Sequence, residues 1–134
     1  MVSRCMPPSD CGFTYSETFK DQHNMIYISC CYTDKCTPSN AEFMRMVNNS
    51  SPNGLVCPTC FTLHFSSCKT SETVQCRGEE DMCYFYTTNE IGSMNQYAGR
   101  GCTIKDDCNR GNSTVKMAKI RYINTMICTE AKRP

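Results

Sequence analysis

Tryptophan is absent from this 134-residue chain, histidine occurs only as His23 and His64, and no long apolar run interrupts it. Each shortage excludes something. A helical membrane span needs about 20 apolar residues, and no stretch approaches that. The opening MVSRCMPPSDCGF has no leader-like apolar segment, and the closing ICTEAKRP has no hydrophobic tail for a lipid anchor. Charge is nearly balanced, with 14 Lys and Arg against 13 Asp and Glu. No basic patch is interleaved with aromatics, so nucleic acid is not an expected partner. The densest cationic run, Lys116, Lys119 and Arg121, alternates with apolar residues and reads as the solvated face of a strand.

Cysteine, by contrast, is abundant: 13 residues, close to a tenth of the chain, which marks a disulfide scaffold. Such bonds persist in oxidising compartments, so the expected location is secreted and extracellular. Sequons at Asn48, Asn49 and Asn112 agree with a glycoprotein. A disulfide-rich chain without a leader is expected to have its biological start elsewhere than residue 1.

Cysteine spacing organises the chain. From Cys57 it runs C-x2-C-x7-C-x7-C-x6-C-x18-C-x5-C-x19-C to Cys128, preceded by C-x5-C-x18-C-C-x4-C from Cys5 to Cys36. The last part of the later array matches the start of the earlier one, so the chain holds an internal repeat whose first copy lacks its front. The expected organisation is the C-terminal half of one module over 1–36, a linker over 37–56 and a complete module over 57–134. Half a module should have strands without partners, so 1–36 is expected to be loose or to pair with a missing piece or a second chain.

Between the cysteines, residues 24–31, 81–88 and 119–128 are rich in aromatic and β-branched residues and read as strands. Residues 89–93 and 109–112 read as turns. No segment forms a convincing amphipathic helix. NAEFMRMV (40–47) would make two turns at most, and NNSSPNG supports a linker from Thr37 to Leu55.

The array from Cys57 to Cys128 resembles a three-finger domain of the urokinase-receptor-like family, and CCYTDKC resembles the closing segment of another. Within that family, SPNGLVCPTCF (51–61) and TVQCRGEEDMCYFY (73–86) are similar to the gamma-type phospholipase A2 inhibitors. The resemblance implies an all-β, small, disulfide-rich, snake-toxin-like fold. It implies the pairs Cys57–Cys83, Cys60–Cys68, Cys76–Cys102 and Cys108–Cys128, with Cys11–Cys30 and Cys31–Cys36 in the partial copy and Cys5 left unpaired. Two departures stand out. Thr37 follows Cys36 where the family usually has Asn, and Thr129 follows Cys128 where the final vicinal pair and its small loop would begin. The gamma-type inhibitors share the second departure.

Rival chemistries fare worse. The Cys57-x2-Cys60 pair suggests zinc or redox, but the downstream spacing fits no common zinc set. A cysteine nucleophile needs a free thiolate beside an imidazole, whereas the framework consumes the thiols and the histidines read as loop surface residues. Glu79, Glu80 and Asp81, like Asp106 and Asp107, read as solvated turns. No enzyme, cofactor or metal is expected. The expectation is a protein-binding module that inhibits a secreted phospholipase A2, within a homo-oligomer as the resemblance allows. The alternative is a signalling protein, either a receptor fragment or a secreted pheromone-like factor. Contact is expected through outward-facing members of Tyr84, Phe85, Tyr86 and Tyr97. Phe43, Met44, Met46 and Val47 are expected to seal the two modules together.

Overall fold

The computed structural model describes residues 11–33, 36–37, 40–92, 95–109, 113–117 and 120–134, with 113–117 and 120–122 described through their backbone. Cys5 and Asn112 lie outside the described residues. The elements are β1 (Thr14–Phe19), β2 (Gln22–Tyr27), α1 (Ala41–Asn48), β3 (Pro52–Pro58), β4 (Cys60–Leu63), β5 (Thr73–Arg77), β6 (Met82–Glu90), β7 (Gln96–Thr103), α2 (Lys105–Cys108), β8 (Ser113–Met117) and β9 (Ile120–Glu130). They build a seven-stranded sheet in the order β2-β1-β7-β6-β9-β8, with β4 also paired to β7, and a two-stranded sheet of β3 and β5.

Six disulfides bind these strands: Cys11–Cys30, Cys31–Cys36, Cys57–Cys83, Cys60–Cys68, Cys76–Cys102 and Cys108–Cys128. These are the pairs that the family resemblance implies. The core is largely sulfur: Cys57, Cys76 and Cys102 are fully buried, with Leu55, Val74, Cys83 and Ala131 packed round them. The sulfurs of Cys57 and Cys76 touch at 3.5 Å, a contact between two bridges. In a core this small, each crosslink supplies roughly 2–4 kcal/mol by restricting the unfolded chain. Residues 131 and 132 are tied in where Val56 donates to the Lys132 carbonyl and Ala131 to the Asp81 carbonyl.

The earlier half of the chain departs from expectation. Hairpin β1–β2 is closed at its open end by Cys11–Cys30 and is docked on the later module. Glu17 pairs with Thr103 and Thr18 with Cys102, so β1 occupies the edge of β7 beyond the end of β4. Strands 14–27 therefore find their partner within this chain. Gly101 makes the junction possible, because a Cβ there would run into the Thr18 carbonyl oxygen and Phe19 Cβ.

The linker region is also structured. Pro52–Gly54 belongs to β3 and forms an irregularity before Val56 pairs with Gln75. The Asn53 side chain holds it, donating to the carbonyls of Gly78 and Glu80 and accepting from the Leu55 N–H. Upstream, 40–47 becomes the two-turn α1, which packs against β2. Arg45 on it joins Glu42 and Glu79, side chains that are all more than half exposed, so these contacts stabilise little. Of the four residues expected to seal the modules together, Met46 is half-buried, while Phe43, Met44 and Val47 stay exposed.

Candidate protein-binding surface

A carboxylate joins the two halves of the molecule. Glu80, in the turn before β6, is fully buried. Its Oε2 accepts from Ser16 Oγ at 2.6 Å, and its Oε1 accepts from Thr18 Oγ1 at 2.7 Å and from the Arg77 N–H at 3.0 Å. His23 on β2 lies against it, Nδ1 3.3 Å from Oε2 and 2.7 Å from Thr18 Oγ1. Because the Thr18 hydroxyl gives its hydrogen to Glu80, the bond between Thr18 and His23 runs from Nδ1–H to the hydroxyl oxygen. Ser16, Thr18 and His23 alternate inward from the hairpin, so the strand period of two aims all three at one acceptor. Nearby, Glu17 accepts from the Tyr84 hydroxyl at 2.7 Å. Burial pushes the Glu17 carboxyl up from its ordinary value, although the Tyr84 bond opposes this. Burial first, then the Glu17 charge, pushes the Tyr84 phenol up.

The sequence reading of these groups is thereby corrected. Glu80 is no solvated turn residue, and Asp107, in the unexpected one-turn α2, is buried and accepts from Thr103 Oγ1 at 2.9 Å. His23 sits on a strand with its ring largely covered, whereas His64 is exposed. A carboxylate held by donors on every side is a structural acceptor and presents no open face to a substrate. The sulfurs of Cys57, Cys76 and Cys102 come within 4.8 Å of one another, but each is committed to a bridge and offers no thiolate to a metal.

The outer feature of the sheet is a row of rings. Phe19 and Phe61 have centroids 6.3 Å apart, Phe61 and Tyr97 5.8 Å, and Tyr97 and Tyr86 6.1 Å, all tilted, the separations at which aromatic pairs attract. The row crosses β1, β4, β7 and β6, and Leu63, paired with Tyr97, extends it. Gly99 stands between Phe61 and Tyr86 in register, giving the rings a floor without a side chain of its own. Phe61, Leu63 and Phe65 are about half-exposed or more, and burial pushes the Tyr86 phenol up. Rigid aromatics on a crosslinked sheet are the type of surface that proteins use to hold other proteins.

Comparison with known proteins assigns this framework. Residues 53–132 match the u-PAR/Ly-6 domain. The chain belongs to the u-PAR/Ly-6 family. It is 28% identical to a urokinase plasminogen activator surface receptor from Bos taurus over 113 residues, 83% of this chain and 33% of that protein. It is 30% identical to a phospholipase A2 inhibitor gamma subunit from Laticauda semifasciata over 80% of this chain and 60% of the relative. A gamma subunit of the same description from Elaphe climacophora is 27% identical over 78% and 52%. The chain thus spans between a third and three fifths of the length of these curated relatives. No solved structure matches it.

The strands and six disulfides fit the small, disulfide-rich β fold of the u-PAR/Ly-6 family. The aromatics singled out from the sequence separate on this frame. Tyr84 is buried under the hairpin and is unavailable for contact. Tyr86 and Tyr97 share the outer row, while Phe85 points to the opposite face, beneath the Arg100 guanidinium at 4.3 Å. Sequence reasoning missed Phe19, Phe61, Leu63 and Phe65. The alternation of Phe61, Leu63 and Phe65 was a readable strand signal. Among the described residues, no helix is long and apolar enough to cross a membrane. Asn48 and Asn49 are exposed.

Proposed function

We propose that this u-PAR/Ly-6 protein acts by binding another protein through its aromatic row, and that the partner is a secreted phospholipase A2. The observation that carries the binding reading is the Phe19–Phe61–Tyr97–Tyr86 row, set on a sheet that disulfides hold rigid, so that little entropy is lost when a partner covers it. The choice of partner rests on two relatives named as phospholipase A2 inhibitor gamma subunits. In this reading the protein is secreted, glycosylated at Asn48 or Asn49, and inhibits by covering the enzyme rather than by chemistry of its own.

The row includes Phe19, so the docked hairpin belongs to the binding surface and half a module suffices to complete it. Biolayer interferometry of the full chain against a panel of secreted phospholipases A2 tests the reading. Binding to at least one is expected, with Phe61→Ala and Tyr97→Ala each weakening it by roughly 30-fold, the scale of an interface hot spot. If no member of the panel binds, the receptor-type reading, supported by the likeness to the bovine urokinase receptor, takes its place.

A further inference from the structure

The face of the sheet opposite the aromatic row carries a second, chemically different feature. Ile127 of β9, Phe85 of β6 and Arg100 of β7 are direct neighbours in register, so their side chains stand in one line on that face. The Arg100 guanidinium lies over the Phe85 ring at 4.3 Å, and its Nε–H donates to the Cys68 carbonyl at 2.8 Å. Stacking and hydrogen bond together fix the plane of the group. Both amino nitrogens remain without a hydrogen-bond or ion-pair partner among the described residues. Beside the guanidinium is a crevice of about 90 Å³, lined by Pro58, Cys83, Tyr84, Phe85, Arg100, Ile127 and Thr129, with no carboxylate among the described residues of its wall. Its rim is apolar: Ile127 is 58% exposed.

Each part of this arrangement constrains an occupant. An oriented guanidinium with free amino donors matches a planar carboxylate, which accepts two parallel bonds from the fork. A single cation, with no second positive group among the described residues of the wall, is a poor match for a doubly charged phosphate. The crevice is open to solvent and has room for a carboxyl group with its adjoining methylene. Ile127 and Pro58 at the rim offer apolar contact to whatever precedes that carboxylate in a chain.

We infer that the Arg100 crevice is an anchor for an acidic side chain, Asp or Glu beside an aliphatic residue, on a partner protein. It lies on the other side of the sheet from the aromatic row and stands or fails independently of which protein covers that row. The acidic side chain enters over Ile127, its two oxygens accept from the amino nitrogens of Arg100, and Thr129 lies in the same wall.

Titrating the labelled full chain with acetyl-Leu-Glu-amide, and following the Arg100 Nε–H and the Ile127 methyl signals by NMR, tests this. Saturable shifts at both positions are expected, with Kd on the order of 1 mM, the scale of one bidentate pair plus a small apolar contact. Arg100→Gln should abolish them, and Arg100→Lys should bind more weakly than the natural chain because a point charge cannot make the parallel pair. If Arg100→Gln alters the amide spectrum as a whole, acetyl-Leu-Gln-amide on the natural chain replaces it as the control and should give no shift at Arg100. Equal shifts from the glutamine peptide would reduce the site to an apolar contact. Inorganic phosphate shifting Arg100 at lower concentration than the glutamate peptide would make it a general anion site. Absence of shifts with any of these probes would remove it.

Discussion

The hydroxyl of Thr18 donates to the carboxylate of Glu80 at 2.7 Å, although the two residues lie 62 positions apart. Through this bond, and its parallel from Ser16, the hairpin of the first half is pinned beneath the turn that opens β6. Taking a carboxylate out of water is costly and is offset only when its lone pairs are filled, as they are here. The prediction is that Glu80→Gln leaves the later module folded but destabilises docking by about 2–3 kcal/mol, since hydrogen bonds to a charged acceptor are lost and an amide must fit among donors. Hydrogen exchange should show faster amides over 14–27 and unchanged ones over 82–103. Uniform loss of protection in both would mean that hairpin and sheet form one cooperative unit.

Two glycines of β7 should respond differently to the same substitution. Gly101→Ala forces a methyl into the Thr18 carbonyl and Phe19, both on β1, and is expected to cost about 1–3 kcal/mol in urea unfolding. Gly99→Ala meets only the Cys60 carbonyl oxygen at 3.7 Å and the Phe61 ring at 3.8 Å, ordinary contacts, and is expected to change stability by less than about 1 kcal/mol. A Gly101→Ala protein as stable as the parent would contradict the docked position of β1.

Glu17 should make stability depend on pH in a known direction. Its folded pKa is raised from the ordinary 4.5 by burial, with Asp107 and Glu80 adding to the effect. Between the unfolded and folded values the native state binds more protons, so this group lowers stability as pH rises through that window. Its cost is present in full above the folded value. Glu17→Gln keeps an acceptor for the Tyr84 hydroxyl and removes the charge. It should therefore raise Tm at pH 7, with the difference narrowing as pH falls towards 4.5. A Tm difference constant with pH would show that the charge is not the cause.

Tyr84→Phe separates fold from function. Among the described residues the hydroxyl reaches only Glu17, beneath the hairpin, so its loss should cost about 1 kcal/mol of stability. Partner affinity should be unchanged within about twofold, in contrast to Tyr97→Ala on the outer row. Comparable losses of affinity from the two would place the contact surface elsewhere.

Cysteine count and spacing marked the disulfide scaffold and carried the family likeness, the likeness implied the β fold, and the aromatic and β-branched runs marked β6 and β9. These features are local: a loop length between crosslinks and a composition of strand are written in consecutive residues. Which ring faces out is not local. Tyr84 and Tyr86 have the same strand parity, yet one is covered by β1 and the other lies in the exposed row, because the hairpin reaches only as far as Gly101. The hairpin's partner was invisible for the same reason. Nothing in residues 14–19 names β7 as the edge they will pair with, and half a repeat read by itself points only to its missing half. Glu80 looks in sequence like its exposed neighbours Glu79 and Asp81. Its burial follows from donors some 60 positions upstream, and only their convergence in three dimensions turns a surface carboxylate into the pin between two parts of the chain.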